Sequence, residues 1–495
     1  MDIWDSLRSF LAYDPERPML LQTTGFFIVF SFFYAIYSSL NSEKIRTRNG
    51  LLLFFGLFFY YKLSGWFVLV LCGLAFCDYY MAITSARASR SRDKNLLLLL
   101  SVSLNIGLLF YFKYTNFFIG LYNVFASTNP VEPLAILQPI GISYFVFKSL
   151  TYSIDIHREV IEEPERNYFR YLLYVSYFPN ILAGPITKAR DLLPSFNSTV
   201  SITRDIISQS VFIISIGLIK KIAVADYLAA NLTDRLFESP QFFSSFELFI
   251  GAFAGLFRLY FDFAGYTDLV VGLSLMMGYP IKGNFNQPFK AENITGFWKR
   301  WHITLYDWLN EYVYQPIAFH LRHLKLKGVI LAVFATFLIS GIWHGANLTF
   351  ILWGVLHGIA ICFEIATAGM RKKIAAIGGK SYKVFSVVAT LLFLALTSVL
   401  INSSDINSAF GYWAKILSGI DFTLFSDWFS IYQWPAMVLI IAVFSQYLPV
   451  RFYTLLSKQI TRLSMWLLGL GFAFLVWVLY QLVQTEAISF IYIEF

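Results

Sequence analysis

From Val329 to Phe363 the chain carries no Asp, Glu, Lys or Arg. At about 1.5 Å of helical rise per residue, a run of that length is longer than one crossing of a hydrocarbon core about 30 Å thick requires. The break inside it is Ser340-Gly341-Ile342-Trp343-His344-Gly345-Ala346-Asn347. An imidazole at membrane depth is costly unless it faces protein interior or a wet cavity. Gly341 and Gly345 flank it without side chains, so another backbone can come close there. Of the six histidines, His344 is the strongest candidate for chemistry.

The same apolar character extends along the chain. Hydrophobic residues make up 57% and charged residues 14%, far from the balance of a soluble protein. The expected class is an all-α integral membrane protein with roughly 11–13 transmembrane or re-entrant helices. Apolar runs this long that do not alternate disfavour a transmembrane β-barrel. Candidate spans fall near residues 20–40, 51–63, 66–83, 96–120, 134–155, 170–187, 207–230, 245–280, 328–344, 347–366, 382–402, 431–449 and 464–486. Several are interrupted, as at Gln138-Pro139-Ile140-Gly141 and from Phe178-Pro179 to Gly184-Pro185; broken helices are tolerated where they line cavities.

The net charge of +8 comes mainly from short loops. It reports topology rather than a nucleic-acid partner. Lys44, Arg46 and Arg48 precede the apolar block Leu51 to Ile83, and Arg87, Arg90, Arg92 and Lys94 follow it. If that block is a hairpin, breaking near Lys62-Leu63-Ser64-Gly65, both clusters face the cytoplasm and the N-terminus lies outside. Residues 1–18 lack the apolar core of a cleavable signal peptide. Trp4, Leu7, Phe10 and Leu11 suggest instead an amphipathic segment over 1–19 lying on the membrane. With no repeat or long polar insert, residues 20–495 read as one membrane domain. Cys72, Cys77 and Cys362 lack metal-ligand spacing and read as structural thiols.

Asn284 to Pro316 is too charged to span lipid and too aromatic for an ordinary loop. With Thr295 as N-cap, Trp301, Leu305, Trp308 and Tyr312 form a helical stripe, which predicts an interfacial or re-entrant helix bordering a cavity. His302 lies off that stripe, with Lys299 and Tyr306 as helical neighbours. On one straight helix His302 and His344 would be about 63 Å apart. A turn at the basic segment His320 to Gly328 permits them to meet without requiring it. Either histidine alone could equally be an interhelical hydrogen-bonding residue. His320 and His323 have the spacing of a metal pair, but Arg322, Lys325 and Lys327 disfavour a cation there. His357 reads as core and His157 as a loop residue. Arg258 and Asp262, spaced i, i+4, read as a buried pair. The alternative is that Asp262 or Asp268 orients Lys299 or Arg300. A buried histidine without metal, serine elbow or phosphate loop suits acyl transfer to a hydroxyl, as general base toward the acceptor.

The chain resembles the membrane-bound O-acyltransferase (MBOAT) family, in its bacterial alginate O-acetyltransferase-like branch. The resemblance is carried by Gln138–Phe147, Phe178–Ile186, Leu259–Asp268, Met276-Met277-Gly278, Asn284-Phe285-Asn286-Gln287-Pro288, Phe297–Leu305 and Gly341–Ala346, in the family's order, with Phe490–Phe495 at the end. It implies a helical bundle around a central tunnel, His344 as the catalytic histidine and His302 as its companion. Charge and position, rather than the resemblance, suggest Trp301 and Trp343 as tunnel walls and Lys299 and Arg300 as contacts for donor phosphates, with Asn347, Asp262 and Asp268 as further substrate-side candidates. Lys299 stands where arginine is common, and Asn310-Glu311 where an Arg-Asp pair is often seen.

The implied function is movement of an acyl group, most simply acetyl, from a cytoplasmic thioester such as acetyl-coenzyme A across a bacterial inner membrane. No tightly bound cofactor or metal is implied. An extracytoplasmic acyltransferase and a polysaccharide acceptor are the implied partners, alongside membrane lipid. Two other readings stand beside it: D-alanyl transfer from a carrier protein to teichoic acid, and a transporter or flippase, which also uses broken helices and intramembrane charge.

Overall fold

The structure, a computed structural model, describes residues 11–16, 18–126 and 130–482. Most of the expected surface segment 1–19, and the terminal Phe490–Phe495, lie outside the described residues. Among those described, every regular element is helical. Seven helical stretches are long and apolar enough to cross a membrane: Ile45–Arg87, Ser91–Phe125, Ser245–Met276, Leu326–His344, Leu348–Ala366, Ala368–Asn402 and Met465–Leu482. A further bent pair, Phe422–Ile431 with Gln433–Ser445, turns through 105°.

Other expected spans are shorter because proline and glycine stop them. The run 134–155 becomes helical only at Ile142, and the run 170–187 is α-helical only to Val175, followed by a single 3-10 turn at Phe178–Asn180. His157 is the last residue of the Ile142–His157 helix rather than a loop residue. The predicted break before Trp66 is present. The first helix ends at Ser64, Gly65 takes φ +61°, and the next helix begins at Val68.

The chain divides into two compact units, residues 1–214 with 269–282, and residues 215–268 with 283–495. In the first, the two broken runs pack on each other. Gly141 has φ +77°, and a Cβ there would sit 2.6 Å from the Ile181 carbonyl oxygen, so only glycine fits. The non-helical backbone after Val175 is satisfied by buried side chains. Lys148 Nζ donates to the Tyr174 carbonyl at 3.0 Å and to Asn180 Oδ1 at 2.7 Å. Asn180 Nδ2 in turn donates to the Pro185 carbonyl and to Thr187 Oγ1. Internal satisfaction of this kind lets irregular backbone exist at membrane depth. Asp78, fully buried, accepts from Ser101 at 2.5 Å and Asn105 at 2.8 Å.

The second unit contains all the histidine candidates singled out for chemistry. Its relevant helices are α1 (Ser245–Met276, of which the part to Asp268 belongs here), α2 (Ile294–Trp298), α3 (Ile303–Leu309), α4 (Leu326–His344), α5 (Leu348–Ala366) and α6 (Ala368–Asn402). Helices α4 and α5 pack backbone to backbone. A Cβ on Gly341 would lie 2.5 Å from the Phe350 carbonyl oxygen and 3.1 Å from the Gly354 Cα. Small residues at such crossings let apolar helices approach closely where lipid gives no hydrophobic drive to associate.

Candidate functional site

His344 is the final residue of α4, and the chain turns at once into α5. Gly345 is extended at the corner, and a Cβ there would run into the Phe350 ring. Asn347 caps α5: its Oδ1 accepts from the Thr349 N–H at 3.1 Å, and its Nδ2 donates to the Ser404 carbonyl at 2.8 Å. Its observed work is therefore to fix the corner behind His344. The imidazole, 8% exposed, lies between the Trp343 ring at 4.9 Å and the Trp353 ring at 5.1 Å.

His302 is placed quite differently. The predicted single helix from Thr295 is broken. Asn293, not Thr295, is the N-cap of α2, accepting from the Gly296 N–H at 2.7 Å. The chain then leaves helical geometry and resumes at α3, with His302 between at φ +44°. A non-glycine residue in left-handed backbone costs of order 1–3 kcal/mol and persists only when its surroundings enforce it. Here the enforcing element is Asn284-Phe285-Asn286. The Ile303 N–H donates to the Asn284 carbonyl at 2.9 Å, and the Asn286 N–H donates to the Arg300 carbonyl at 2.9 Å. Asn284 Oδ1 also takes the Thr304 N–H at 3.1 Å and its hydroxyl at 2.7 Å. The Phe263 ring closes the other side, 4.6 Å from the imidazole. The stripe Trp301, Leu305, Trp308 and Tyr312 is buried as expected despite the break.

Two cavities lie beside these residues. The larger, about 230 Å³, is lined by His302, Lys299, Tyr306, Asn310, Ser340 and Trp298 among others. The smaller, about 30 Å³, is lined by His344, His357, Trp301, Trp353 and Thr397, and again by Trp298; it has space for two or three waters by the usual cavity measure of about 10–15 Å³ each. Trp298 is thus a shared wall. His302 lies outside the membrane-spanning stretches, and burial, followed by the nearby His344, holds its imidazole well below its usual range. It is neutral at pH 7 and able to accept a proton or a hydrogen bond.

The charged candidates fall elsewhere. Asp262 pairs with Lys221 at 2.7 Å, and Lys221 also meets Asp226 at 2.7 Å. The expected Arg258–Asp262 pair is replaced by Arg258–Asp234 at 2.6 Å, because the irregular helical segment over residues 219–238 brings its own acids and lysines alongside α1. Asp268 pairs with Lys220 at 2.6 Å. Arg300 donates to the Asn286 carbonyl at 3.3 Å and braces the His302 turn. Of the two basic candidates, Lys299 is the one at the larger cavity. His323 Nδ1 lies 3.2 Å from the His320 carbonyl oxygen, and no group of three metal-ligating side chains exists among the described residues.

His357 is buried core, as expected, and Trp298, Thr397 and Glu364, not singled out in the sequence, turn out to matter with it. Trp298 donates its indole N–H to His357 Nδ1 at 3.2 Å. An indole can only donate, so the His357 proton is on Nε2, 3.2 Å from Thr397 Oγ1. The Thr397 hydroxyl donates onward to the Phe393 carbonyl at 2.8 Å. Glu364 binds the start of α2. Its position as the acid that closes a long apolar run was the available signal, since a charge there needs a partner.

Comparison with known proteins places this geometry in a family. The profile of the MBOAT, membrane-bound O-acyltransferase family matches residues 141–403, which includes both histidines and the residues lining both cavities. A probable alginate O-acetylase AlgI of Pseudomonas syringae pv. tomato is 34% identical over 77% of this chain and 71% of its own length. A peptidoglycan O-acetyltransferase of Helicobacter pylori is 32% identical over 74% and 72%. A teichoic acid D-alanyltransferase of Bacillus subtilis is 29% identical over 43% and 55%. An all-helical, multi-pass chain matched in this way belongs to the membrane-bound O-acyltransferase family and is an O-acyltransferase.

Proposed function

We propose that this protein transfers an acetyl group from a cytoplasmic thioester, across the bacterial inner membrane, toward a polysaccharide hydroxyl. An extracytoplasmic acyltransferase would receive the group on the far side. The observation that carries the reading is the pair of buried histidines in adjoining cavities with Trp298 between them. The relatives named for O-acetylation of alginate and peptidoglycan favour acetyl over other acyl groups.

In this scheme the thioester enters the His302 cavity, where Lys299 offers a cation for donor phosphates and His302 orients the carbonyl. The acceptor oxygen attacks the carbonyl carbon while His344 takes the hydroxyl proton. The C–S bond breaks, and the departing thiolate recovers that proton from the imidazolium. Trp301 lines the His344 chamber and Trp343 packs on the imidazole. Asn347, Asp262 and Asp268 support the scaffold through their cap and ion pairs.

The test is turnover of radiolabelled acetyl-coenzyme A by the full-length protein in lipid, wild type against His344→Ala and His302→Ala. Histidine-dependent release of acetyl from the thioester, with folded yield unchanged, is the expected result. Turnover that survives His344→Ala overturns the assignment. Inactivity of every sample with acetyl-coenzyme A, but activity with a D-alanyl carrier protein, moves the reading to the teichoic-acid branch.

A further inference from the structure

Helix α2 is five residues long, too short to hold its shape by its own hydrogen bonds. Besides its Asn293 cap, it is held at both ends by side chains of α5. At its start, Glu364 Oε1 accepts from the Ile294 N–H at 2.6 Å, and Oε2 accepts from the Thr295 N–H at 3.0 Å and the Thr295 hydroxyl at 2.6 Å. A carboxylate satisfying the orphan N–H groups of a helix start makes charge-assisted bonds, stronger than neutral ones. At its other end, the Trp298 indole is fixed on His357 Nδ1 at 3.2 Å. Glu364 and His357 lie seven residues apart, two turns along the same face of α5. The rings of Trp298 and Trp353, at 5.5 Å, fill the space between.

Neither Glu364 nor His357 has a part in the acyl-transfer chemistry above, yet between them they hold the two ends of the short helix that carries Trp298, which lines both cavities. We propose that Glu364 and His357 are positioning residues that dock α2 on α5, so that Trp298 stays fixed between the His302 cavity and the His344 chamber and keeps the passage between them narrow. Loss of either contact lets α2 shift, widens the passage beside Trp298 and admits water to the thioester. Water oxygen then attacks the carbonyl, the C–S bond breaks, and free acetate and thiol form in place of transferred acetyl. Only this consequence rests on the acetyl-transfer reading; the docking itself does not.

The experiment is amide hydrogen exchange across residues 294–301 in the full-length protein in lipid nanodiscs. Glu364→Gln replaces an acceptor with a donor facing N–H groups, and exchange there is expected to rise roughly tenfold to hundredfold, the range for a buried bond left unmade. Trp298→Phe, which keeps a ring but removes its N–H, gives a smaller rise at the same residues. Glu292→Gln, altering only the exposed Glu292–Lys383 pair at 2.9 Å, leaves exchange unchanged. Should Glu364→Gln fail to fold, Thr295→Val removes the hydroxyl bond alone. Unchanged exchange in residues 294–298 of the folded variants overturns the proposal.

A second arm measures acetate released against acetyl transferred. Glu364→Gln and Trp298→Phe each raise the hydrolysed share, and combined they do no more than the stronger single change. An unchanged share per folded molecule overturns the latch. If wild type does not turn over acetyl-coenzyme A at all, the donor assignment fails by itself, and the exchange result still decides the docking.

Discussion

His344 ends a 19-residue helix whose partner is also 19 residues long, whereas His302 sits between helices of five and seven residues in left-handed backbone. The first imidazole is carried by cooperative elements that a membrane stabilises on its own terms, with every backbone group bonded inside the segment. The second is carried by a loop that would not hold this shape without Asn284, Asn286 and Arg300. Robustness and precision are therefore divided: one histidine depends on helix packing, the other on a few side-chain hydrogen bonds.

The largest expected effect comes from removing the chemistry and leaving both scaffolds intact. His344→Ala should lower thioester turnover by about 10²–10⁴-fold, the usual contribution of a positioned acid–base group, with no change in thermal unfolding. Packing should matter next, and only on the α4–α5 side. Gly341→Val forces a side chain against the Phe350 carbonyl and should cost about 1–3 kcal/mol by overpacking. Gly283→Ala, with nothing within 4 Å of the new Cβ, should stay within about 0.5 kcal/mol. Thermal unfolding of the two in one detergent reads the contrast, and equal losses would erase the distinction between the regions.

On the loop side, Asn284→Ala strips the acceptor from the Thr304 N–H and hydroxyl. It should cost about 1–3 kcal/mol and depress turnover by misplacing His302. His302→Asn is the complementary change, since Asn tolerates left-handed backbone. It should keep the fold and lose turnover, and a large fall in stability would show that the imidazole itself braces the turn.

The smallest effect is on pH. Burial lowers the His302 pKa in the folded state, so the unfolded chain binds the extra proton first, near its ordinary value of about 6.5. Stability from this group is then fully present above that pH and declines as pH falls below it. His302→Asn should flatten the acid limb of an unfolding curve measured from pH 7.5 to 5.

The long apolar runs, the Pro and Gly breaks and the His344 turn were legible because each is written in local residue order. So was the burial of Trp301, Leu305, Trp308 and Tyr312, since a periodic stripe records which face meets protein. The break at His302 was not legible. Nothing between Thr295 and Tyr312 forbids a helix there, and the backbone is bent by Asn284, which lies ten or more residues away. The ion pairs of α1 were misread for the same reason: Arg258 and Asp262 are natural partners on an isolated helix, but Asp234 and Lys221 arrive from another segment and are the partners found.

Sequence alone determined that this chain lives in a membrane as a helical bundle, because hydrophobic run length and backbone satisfaction are properties of each segment by itself. It also singled out the two histidines. Tertiary structure alone decided that His302 and His344 look into adjoining cavities, that Trp298 stands between them, and that Glu364 and His357 hold the two ends of its helix. Those are contacts between segments, and in a low-dielectric interior the partner a buried polar group finds is set by which segments pack against it.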